Sequence, residues 1–394
     1  MKQIVLKAGR DKSLLRHHPW IFSGAIERAS GDAEPGETVV IRSAEGRFLA
    51  YAAVSPRSQI RARVWSFEER EAIDARFMRS ALERAVAFRS QVVGQDTDAY
   101  RLVHAECDAL PGLVVDRYAD TAVIQCSSAG ADYWRETYAD ALIETGVCRR
   151  VYERSDTEPR NLEGLVPRSG ALRGGEPPEG IAVTEGPARF LVDVRRGQKT
   201  GFFLDQRDNR ARVRAAAHGR EVLDVFSYTG GFVVAALTGG AAGVTAIDSS
   251  ADAIERAREN VAASGLEAHR VDWQRADAFA RLRALHAEGR RFDLVVLDPP
   301  KFAPTERHVA RAARAYKDIN LWAFRLLRPG GTLFTFSCSG AIDAALFQSI
   351  VAGAALDAGV LGRIVARLGA APDHPVALHF PEGGYLKGLV VKVA

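Results

Sequence analysis

The C-terminal half of the chain alternates short apolar segments with helical segments, and this pattern constrains the fold more than any other feature. Each apolar segment is about four to eight residues long, the usual length of a buried strand. The candidate strands span residues 221–226, 244–248, 268–273, 292–297, 332–337, 363–367 and 386–393. Strands that alternate with helices predict an α/β, doubly wound, Rossmann-like parallel sheet. Ligands bind beyond the carboxyl ends of the strands in such sheets, so a functional site is expected there.

The N-terminal part of the chain predicts a separate domain, because 394 residues exceed one hydrophobic core. Segments that alternate apolar and polar residues occur at 37–41, 48–54 and 59–65. They are bounded by Gly, Pro and Ser, which predicts a small β-rich domain over residues 1–70. A helix over residues 68–92 is expected at its boundary.

A compact α+β middle domain is predicted over residues 71–188, and the parallel sheet is assigned to residues 189–394. The expected elements of the middle domain are strands at 113–116, 122–126 and 150–153 and a helix at 133–145. Residues 167–180 are rich in Gly and Pro, which predicts a loop.

Composition restricts the class of protein. No apolar run reaches the 18 or so residues that cross a bilayer, and Lys7 interrupts the N-terminus before an export signal develops. A cytoplasmic protein without a membrane partner is therefore expected. The four cysteines form no Cys-x-x-Cys pair, so neither a zinc site nor a disulfide framework is predicted. A net charge of +4 is compatible with a polyanionic partner and does not establish one.

The first strand of the parallel sheet is followed by a candidate cofactor loop. Asp224, Phe226, Ser227 and Tyr228 lead to Gly230, and an apolar helix follows. Glycine permits close approach of the backbone to a ligand, and a helix N-terminus offers amide donors to a carboxylate. This arrangement suits the amino-acid end of S-adenosylmethionine (SAM).

Acidic residues follow the next two strands. Asp248 ends the second strand, and Ser249 and Ser250 are candidate helix caps. An acid at this position accepts hydrogen bonds from ribose hydroxyls in SAM enzymes and in dehydrogenases alike. Asp277, followed by Ala278 after the third strand, is a candidate partner for the adenine amino group or else a solvated loop residue. Only the three positions together predict a SAM site.

The fourth and fifth strands deliver an acid and a thiol to the same edge. Asp298 and Pro299 begin an Asp-Pro-Pro motif, which is typical of methyltransferases that act on planar nitrogen-bearing groups. Pro299 is expected to contact the cofactor. Lys301 and Phe302 follow the motif and are expected to contact the substrate. Cys338 follows the fifth strand, so its thiol is predicted to face Asp298 and to act as a nucleophile.

Methylation at carbon 5 of cytosine requires both groups, because this carbon is too weak a nucleophile to attack a sulfonium methyl group unaided. A Cys338 thiolate adding to C6 activates C5, and Asp298 is predicted to stabilise the adduct at the N3 and amino edge. The base that removes the C5 proton is left unassigned. Lys301 is one candidate for the positive charge that helps to form the thiolate, with a solvated loop lysine as the alternative.

These residues resemble the bacterial 23S rRNA cytosine-5 methyltransferase I family, a group of SAM-dependent enzymes with an N-terminal PUA domain. The resemblance spans the chain. The matching segments are residues 12–24, 58–65, 108–116, 197–210, 224–232, 298–302, 337–340 and 379–388. It implies methyl transfer to one cytosine of large-subunit 23S rRNA, with the base extruded into the cleft, and a homodimer.

The resemblance also implies roles outside the sheet. In the family the segment 197–210 packs beside the SAM pocket, which makes Lys199, Phe202 and Gln206 candidate cofactor contacts. The PUA domain binds structured RNA. Its candidate RNA contacts are Arg16, His17, Trp20, Arg61 and Arg63. Without the resemblance, these residues predict either a basic stacking surface or an ordinary solvated edge.

Three other functions compete with this interpretation. A guanine or adenine amino-group methyltransferase would use the Asp-Pro-Pro motif and need no cysteine. A nicotinamide-dependent dehydrogenase is disfavoured because the Gly-x-Gly-x-x-Gly motif is missing. The third alternative is an RNA-binding assembly factor without enzymatic activity. A binding titration with SAM and NAD separates the dehydrogenase from the methyltransferases, and a lack of SAM binding would support the assembly factor. The role of Cys338 separates the two methyltransferases.

Overall fold

The computed structural model describes residues 2–156, 158–303 and 306–394. The chain forms two compact units, each made of segments that are separate in sequence. The first unit comprises the residues up to Val183 together with Val192–Leu204 and Pro372–Gly383. The second comprises Thr184–Leu191, Asp205–Ala371 and Gly384–Ala394. The three-domain division at residues 70 and 188 stays a prediction.

The N-terminal region forms a six-stranded sheet in the order β2-β6-β5-β4-β1-β3. Its strands are β1 (Gln3–Leu6), β2 (Trp20–Phe22), β3 (Ile26–Ser30), β4 (Thr38–Arg42), β5 (Phe48–Val54) and β6 (Ile60–Ser66). Ile41, Ala50 and Ala52 are fully buried, and successive residues of β4 and β5 are buried as well, so both faces of these strands are covered. The three predicted strands correspond to β4, β5 and β6.

The helix that follows is shorter than predicted. Helix α1 runs over Ala75–Val92, whereas the apolar spacing predicted a start at residue 68. The backbone of Asp74 is extended, and its carboxylate accepts a hydrogen bond from the Phe77 amide. The prediction was wrong at this end because a carboxylate N-cap outweighs the weaker periodicity of the preceding residues.

The middle region forms a five-stranded sheet in the order β11-β10-β9-β8-β7. Its strands are β7 (Ala99–His104), β8 (Leu113–Tyr118), β9 (Thr121–Cys126), β10 (Arg150–Ser155) and β11 (Arg168–Arg173), and its helices are α2 (Ala129–Tyr133), α3 (Arg135–Glu144) and α4 (Glu158–Glu163). Strand β11 lies in the segment predicted as a loop, and that prediction was wrong. Edge pairing with β10 supplies backbone hydrogen bonds that local composition does not reveal.

A two-stranded hairpin, β12 (Ile181–Glu185) and β13 (Ala188–Val192), precedes the seven-stranded sheet of the second unit. The seven strands are β14 (Glu221–Val225), β15 (Gly243–Asp248), β16 (Val271–Arg275), β17 (Phe292–Leu297), β18 (Leu327–Ser337), β19 (Gly362–Leu368) and β20 (Lys387–Val393). Their order is β16-β15-β14-β17-β18-β20-β19, and β20 runs antiparallel to both of its neighbours. The predicted strand at 268 begins instead at Val271, because residues 268–270 form a short 3-10 helix.

In the described ranges, six α-helices accompany this sheet and bury its apolar residues. They are α5 (Arg207–Ala216), α6 (Gly231–Thr238), α7 (Ala251–Ala263), α8 (Ala278–Ala287), α9 (Val309–Leu326) and α10 (Ala344–Ala358). Helices α8, α9 and α10 share one core with the central strands, in which Leu223, Phe292, Phe324 and Phe347 are fully enclosed. The predicted doubly wound α/β sheet is confirmed.

The sheet places the functional residues. Strands β15, β14, β17 and β18 are adjacent and parallel, so their carboxyl ends share one edge. The residues that follow these four strands therefore lie close together. No helix in the described ranges is long and apolar enough to cross a membrane.

Candidate active site

The loop after β14 has an unusual backbone. Phe226 and Tyr228 have φ angles of 66° and 47°, a left-handed conformation that residues other than glycine rarely adopt. The amides of Phe226 and Ser227 donate to the carbonyl oxygen of Ile247 at 2.9 and 3.0 Å. These bonds hold the loop against the end of β15 in a conformation that would otherwise be costly.

Gly230 ends this loop and precedes α6. Its φ is 78°, and a Cβ atom built on it would lie 2.9 Å from the Cβ of Ala257. Both the backbone angle and the close packing against α7 therefore require glycine. The first amides of an α-helix have no partners within the helix, so the start of α6 offers the donors that the predicted carboxylate site requires.

Asp224 is the most unusual acid at this edge. Its side chain is 1% exposed, and neither carboxylate oxygen has a hydrogen-bond partner among the described residues. Burial raises the pKa of Asp224 well above its ordinary value, and the nearby charges of Asp298 and Asp248 raise it further, against a smaller lowering by the nearby backbone amide of Val233. A buried acid without a partner is costly to fold and marks a position where a ligand donor fits.

Three hydroxyls at the same edge share this property. The side-chain oxygens of Ser227, Thr229 and Thr335 are buried and have no hydrogen-bond partner within the described ranges. Thr335 lies on β18 opposite Leu297 of β17, so the group extends over neighbouring strands. Together with Asp224 they form a polar lining that fits a polar cofactor.

Asp248 positions the cofactor loop. Its two carboxylate oxygens accept hydrogen bonds from the amides of Tyr228 at 2.8 Å and Ser250 at 2.9 Å. Ser250 caps α7 as predicted, accepting from the Ala253 amide. Each carboxylate oxygen can accept more than one hydrogen bond, so Asp248 retains capacity for ribose hydroxyls.

Asp277 has a local role that the sequence did not reveal. It is the N-cap of α8, and its Oδ1 accepts a hydrogen bond from the Ala280 amide at 2.9 Å. The side chain is exposed, whereas Ala278 is buried beneath it. Contact of these two residues with adenine stays a prediction.

The acid and the thiol follow neighbouring strands. Asp298 follows β17, and its amide approaches the carbonyl oxygen of Val225 at 3.5 Å. Cys338 follows β18 and is half-buried. Its Sγ lies 4.0 Å from the carbonyl oxygen of Pro299. The sheet therefore brings the Asp-Pro-Pro motif and the cysteine together at one edge, as predicted for residues that follow the fourth and fifth strands.

The turn at Cys338 is held from beneath by a buried hydroxyl network. Ser339 is fully buried, and its Oγ accepts a hydrogen bond from the Ala303 amide at 3.2 Å. The hydroxyls of Ser339 and Tyr316 are hydrogen-bonded at 3.0 Å. Burial raises the pKa of Tyr316, so this phenol stays neutral. Tyr316 of α9 thus joins the loops after β17 and β18.

The comparisons with known proteins agree with this geometry. A family of S-adenosylmethionine-dependent methyltransferases matches residues 167–390, and a PUA-like domain family matches residues 4–67. The Ribosomal RNA large subunit methyltransferase I of Pseudoalteromonas translucida (strain TAC 125) is 48% identical over 391 residues, covering 99% of each chain. The protein of the same name from Yersinia pestis bv. Antiqua (strain Angola) is 45% identical over 392 residues, again covering 99% of each chain. The chain belongs to the ribosomal RNA large subunit methyltransferase I family.

Solved structures share the fold of this methyltransferase. A putative SAM-dependent methyltransferase from Streptococcus mutans has a TM-score of 0.86 and 21% identity, with 100% of both chains covered. A putative methyltransferase complexed with SAH has a TM-score of 0.87 at 21% identity, also with 100% of both chains covered. The predicted PUA-like domain and SAM-dependent methyltransferase fold are confirmed. SAM is the cofactor of the family.

The two residues after the Asp-Pro-Pro motif of this methyltransferase differ in environment. Lys301 is exposed. Phe302 is half-buried, with its ring 4.8 Å from that of Tyr316 and 5.9 Å from that of Phe279. Their contact with substrate stays a prediction.

The cofactor contacts implied by segment 197–210 fall in both units. Lys199 and Phe202 belong to the first unit, where Lys199 is exposed and the Phe202 amide donates to the Tyr118 hydroxyl at 3.2 Å. Gln206 belongs to the second unit, and its Oε1 accepts from Asn209 at 2.6 Å. Their contact with SAM stays a prediction.

Three of the predicted RNA contacts of the methyltransferase are accessible. Arg16 and His17 are exposed, and His17 stacks on Phe67 with ring centroids 4.5 Å apart. Arg61 lines a cavity of about 380 Å³ in the PUA-like domain, together with Ser23 and other residues. The Nε atom of Arg61 is buried and has no hydrogen-bond partner among the described residues. A polar ligand group would satisfy it.

The other two predicted RNA contacts have protein partners. The indole nitrogen of Trp20 donates to Glu106 at 2.8 Å. Arg63 is 11% exposed, and it pairs with Glu163 at 2.9 Å and with Glu106 at 3.6 Å. These contacts within the first unit account for both side chains without RNA, and their contact with RNA stays a prediction.

Lys387 is a site residue to which the sequence assigned no role. It is the first residue of β20, and its Nζ donates to the carbonyl oxygen of Ser339 at 2.7 Å. The sequence signal was its place in the matching segment 379–388. Only the antiparallel pairing of β20 with β18 brings it to the thiol.

Proposed function

We propose that this protein methylates carbon 5 of a cytosine in 23S ribosomal RNA through a covalent adduct with Cys338. The single observation that carries the proposal is the position of Cys338, with its Sγ 4.0 Å from the carbonyl oxygen of Pro299. The relatives at 45 to 48% identity are named for the large ribosomal subunit RNA, which supports the substrate class.

SAM, when bound, supplies a methyl group on a sulfonium centre. Asp224 is a suitable partner for the ammonium of its amino-acid end, because this acid is buried without a hydrogen-bond partner among the described residues. The amides at the start of α6 would hold its carboxylate, and Asp248 would accept hydrogen bonds from its ribose hydroxyls. Pairing Asp224 with a cation would offset part of the cost of its burial.

Cys338 provides the nucleophile. Its thiolate forms a bond to C6 of cytosine, and the displaced electron pairs move through C4 onto N3. Asp298 donates a proton to N3, which leaves C5 as an enamine carbon able to take the methyl group. Loss of the C5 proton to a base and cleavage of the carbon–sulfur bond then restore the ring and the thiolate. The N3 proton returns to Asp298.

The substrate base must leave its stacked position to reach this edge. Extrusion costs a few kcal/mol, which contacts in the pocket offset. Phe302 offers an aromatic ring to the extruded base, and Lys301 offers a charge to the neighbouring phosphate. The PUA-like domain adds RNA contacts through Arg16, His17 and Arg61. Ribosomal RNA as substrate implies a cytoplasmic enzyme, and the implied homodimer remains a prediction.

An amino-group methyltransferase would use the Asp-Pro-Pro motif without a nucleophile. The placement of a half-buried cysteine beside that motif favours the C5 reaction over this alternative.

The test is transfer from labelled SAM to total rRNA from cells that lack the methylation, with nucleoside mass spectrometry of the product. The parent protein is compared with Cys338→Ala and with Cys107→Ala, a control at the other half-buried cysteine. We expect 5-methylcytosine from the parent and from Cys107→Ala, and none from Cys338→Ala. A methylated guanine or adenine, or full activity of Cys338→Ala, would overturn the proposal.

A trapping experiment tests the adduct directly. RNA with 5-fluorocytosine at the target carries no C5 proton, so elimination cannot follow methyl transfer and the protein stays attached. We expect a complex that survives denaturing electrophoresis with the parent and none with Cys338→Ala. Attachment through a different residue would refute the assignment.

A further inference from the structure

Strand β20 places a lysine beside the turn that carries the thiol. In the antiparallel pairing of β18 with β20, Lys387 lies opposite Ser337, the residue before Cys338. Its Nζ donates to the carbonyl oxygen of Ser339, the residue after Cys338, at 2.7 Å. Lys387 therefore contacts the turn on which the cysteine sits.

The environment of Lys387 is unusual for a lysine. The side chain is half-buried. Burial lowers the pKa of Lys387, the negative charges of Cys338 and Asp343 raise it, and the positive charge of Lys301 lowers it. The ammonium is thus partly removed from water and close enough to the sulfur for their charges to interact. Such an interaction acts equally on both groups.

We propose that Lys387 is a positioning residue that holds the Cys338 turn and stabilises the thiolate form of Cys338 with its ammonium charge. Its consequence for catalysis rests on the proposed function, whereas its effect on the thiol does not. In forming the thiolate, the cysteine gives its proton to water, and nothing is oxidised or reduced.

The surrounding groups strengthen the need for this cation. Asp298 follows the neighbouring strand, and whenever its proton is absent its carboxylate opposes a second negative charge on sulfur. Tyr316 reaches the turn through Ser339 as a neutral phenol and contributes no charge. Asp343 is the exposed N-cap of α10. Lys301 is exposed, so solvent and salt screen its charge more than that of Lys387.

The test is the pH dependence of Cys338 alkylation by iodoacetamide in the full-length protein, without RNA or SAM. Only the thiolate reacts, so the midpoint of the rate profile reports the thiol pKa. Peptide mass spectrometry separates Cys338 from Cys107, which serves as a reference in the same digest. We expect Lys387→Met to raise the Cys338 midpoint by about one pH unit and to leave the Cys107 profile unchanged.

Two further variants separate charge from structure. Lys387→Gln keeps a donor for the Ser339 carbonyl without the charge and should raise the midpoint as Met does. Lys387→Arg keeps the charge and should return it close to the parent value. Lys392→Met is the matched control, because Lys392 lies on the same strand and donates to a carbonyl at the far end of β18, that of Gly330.

A midpoint that stays at the parent value in both Lys387→Met and Lys387→Gln would overturn the inference, and so would an equal shift in Lys392→Met. If both uncharged variants unfold, Lys387→Arg and Lys301→Met still decide. A rise of the Cys338 midpoint in Lys301→Met as large as the one expected for Lys387→Met would assign the cation to Lys301. A failure to find 5-methylcytosine would refute the proposed function and leave these thiol profiles unaffected.

Discussion

The backbone amide of Tyr228 donates a hydrogen bond to Oδ2 of Asp248 at 2.8 Å. The acid at the end of β15 therefore positions the loop that follows β14, in addition to its predicted contact with ribose. Because Tyr228 has a left-handed backbone, the loop depends on this bond to keep its conformation.

Substitution of Asp248 should consequently weaken SAM binding in two ways. We expect Asp248→Ala to lower SAM affinity by about ten- to a hundredfold, the usual effect of losing hydrogen bonds to a charged group. Asp248→Asn keeps an acceptor for the Tyr228 amide and should lose less. Isothermal titration calorimetry measures both. Asp272→Ala, an exposed acid on β16, is the control, and an effect there as large as at Asp248 would contradict the argument.

Asp224 should make the stability of the protein depend on pH. Burial raises the pKa of Asp224 above that of the unfolded chain, so the folded state holds this proton more tightly. Its contribution to the free energy of unfolding is full below about pH 3.9. The contribution is lost as pH rises through the raised folded-state pKa.

Asp224→Asn removes the buried charge and keeps the shape. Without SAM we expect the variant to exceed the parent in free energy of unfolding by about 1–3 kcal/mol at pH 7, and by far less near pH 4. Its affinity for SAM should fall, since the ammonium loses its partner. Denaturant titration from pH 4 to 8 measures these stabilities, with Asp252→Asn, at an exposed acid on α7, as control. If the free energies of unfolding of the parent and of Asp224→Asn change with pH in the same way, Asp224 does not carry a buried charge in the folded parent.

Gly230 should tolerate no side chain. In Gly230→Ala the backbone strain of φ 78° adds to a contact 2.9 Å from the Cβ of Ala257. Gly289→Ala is a matched control, because its φ is 73° and no atom lies within 4 Å of the new Cβ. We expect Gly289→Ala to cost about 1 kcal/mol and Gly230→Ala more, together with a loss of SAM binding. An equal change in melting temperature for the two variants would show that α7 moves to accommodate the new methyl group without a loss of stability.

Arg61 and Arg63 should behave differently although they lie two residues apart on β6. Arg61→Ala should weaken RNA binding with little change in thermal stability, since its Nε lacks a hydrogen-bond partner among the described residues. Arg63→Ala leaves Glu163, whose side chain is 2% exposed, without its ion-pair partner. It should therefore cost about 3–5 kcal/mol of stability.

Filter binding to rRNA fragments at several salt concentrations and calorimetric unfolding distinguish these outcomes. A phosphate contact by Arg61 would also reduce the salt dependence of binding in Arg61→Ala. The reverse pattern, with Arg63→Ala stable and deficient in RNA binding, would assign the RNA contact to Arg63.

Local pattern was sufficient for the elements of the central sheet. Strand β17 runs over Phe292–Leu297, the range that the sequence predicted, because an isolated apolar run between polar residues has one interpretation. The errors in predicting α1 and β11 occurred where a side-chain cap or pairing with another strand decides the structure. Asp74 stops α1 with a side-chain cap, and β11 exists because β10 pairs with it.

The site divides in the same way. The sequence by itself determined that Asp224, Asp248, Asp298 and Cys338 share one edge, since parallel adjacent strands end on the same side of a sheet. It did not determine that Asp224 lacks a partner among the described residues, or that Asp248 holds the amide of Tyr228. Both depend on how the loops pack after the strands end.

Lys387 shows most clearly what only the tertiary structure decided. It is 49 residues from Cys338 in the sequence, a separation given by 387 and 338. The two meet because β20 inserts antiparallel between β18 and β19. Pattern reveals that a segment is a strand, but the pairing of strands depends on burial and hydrogen bonding over the whole sheet.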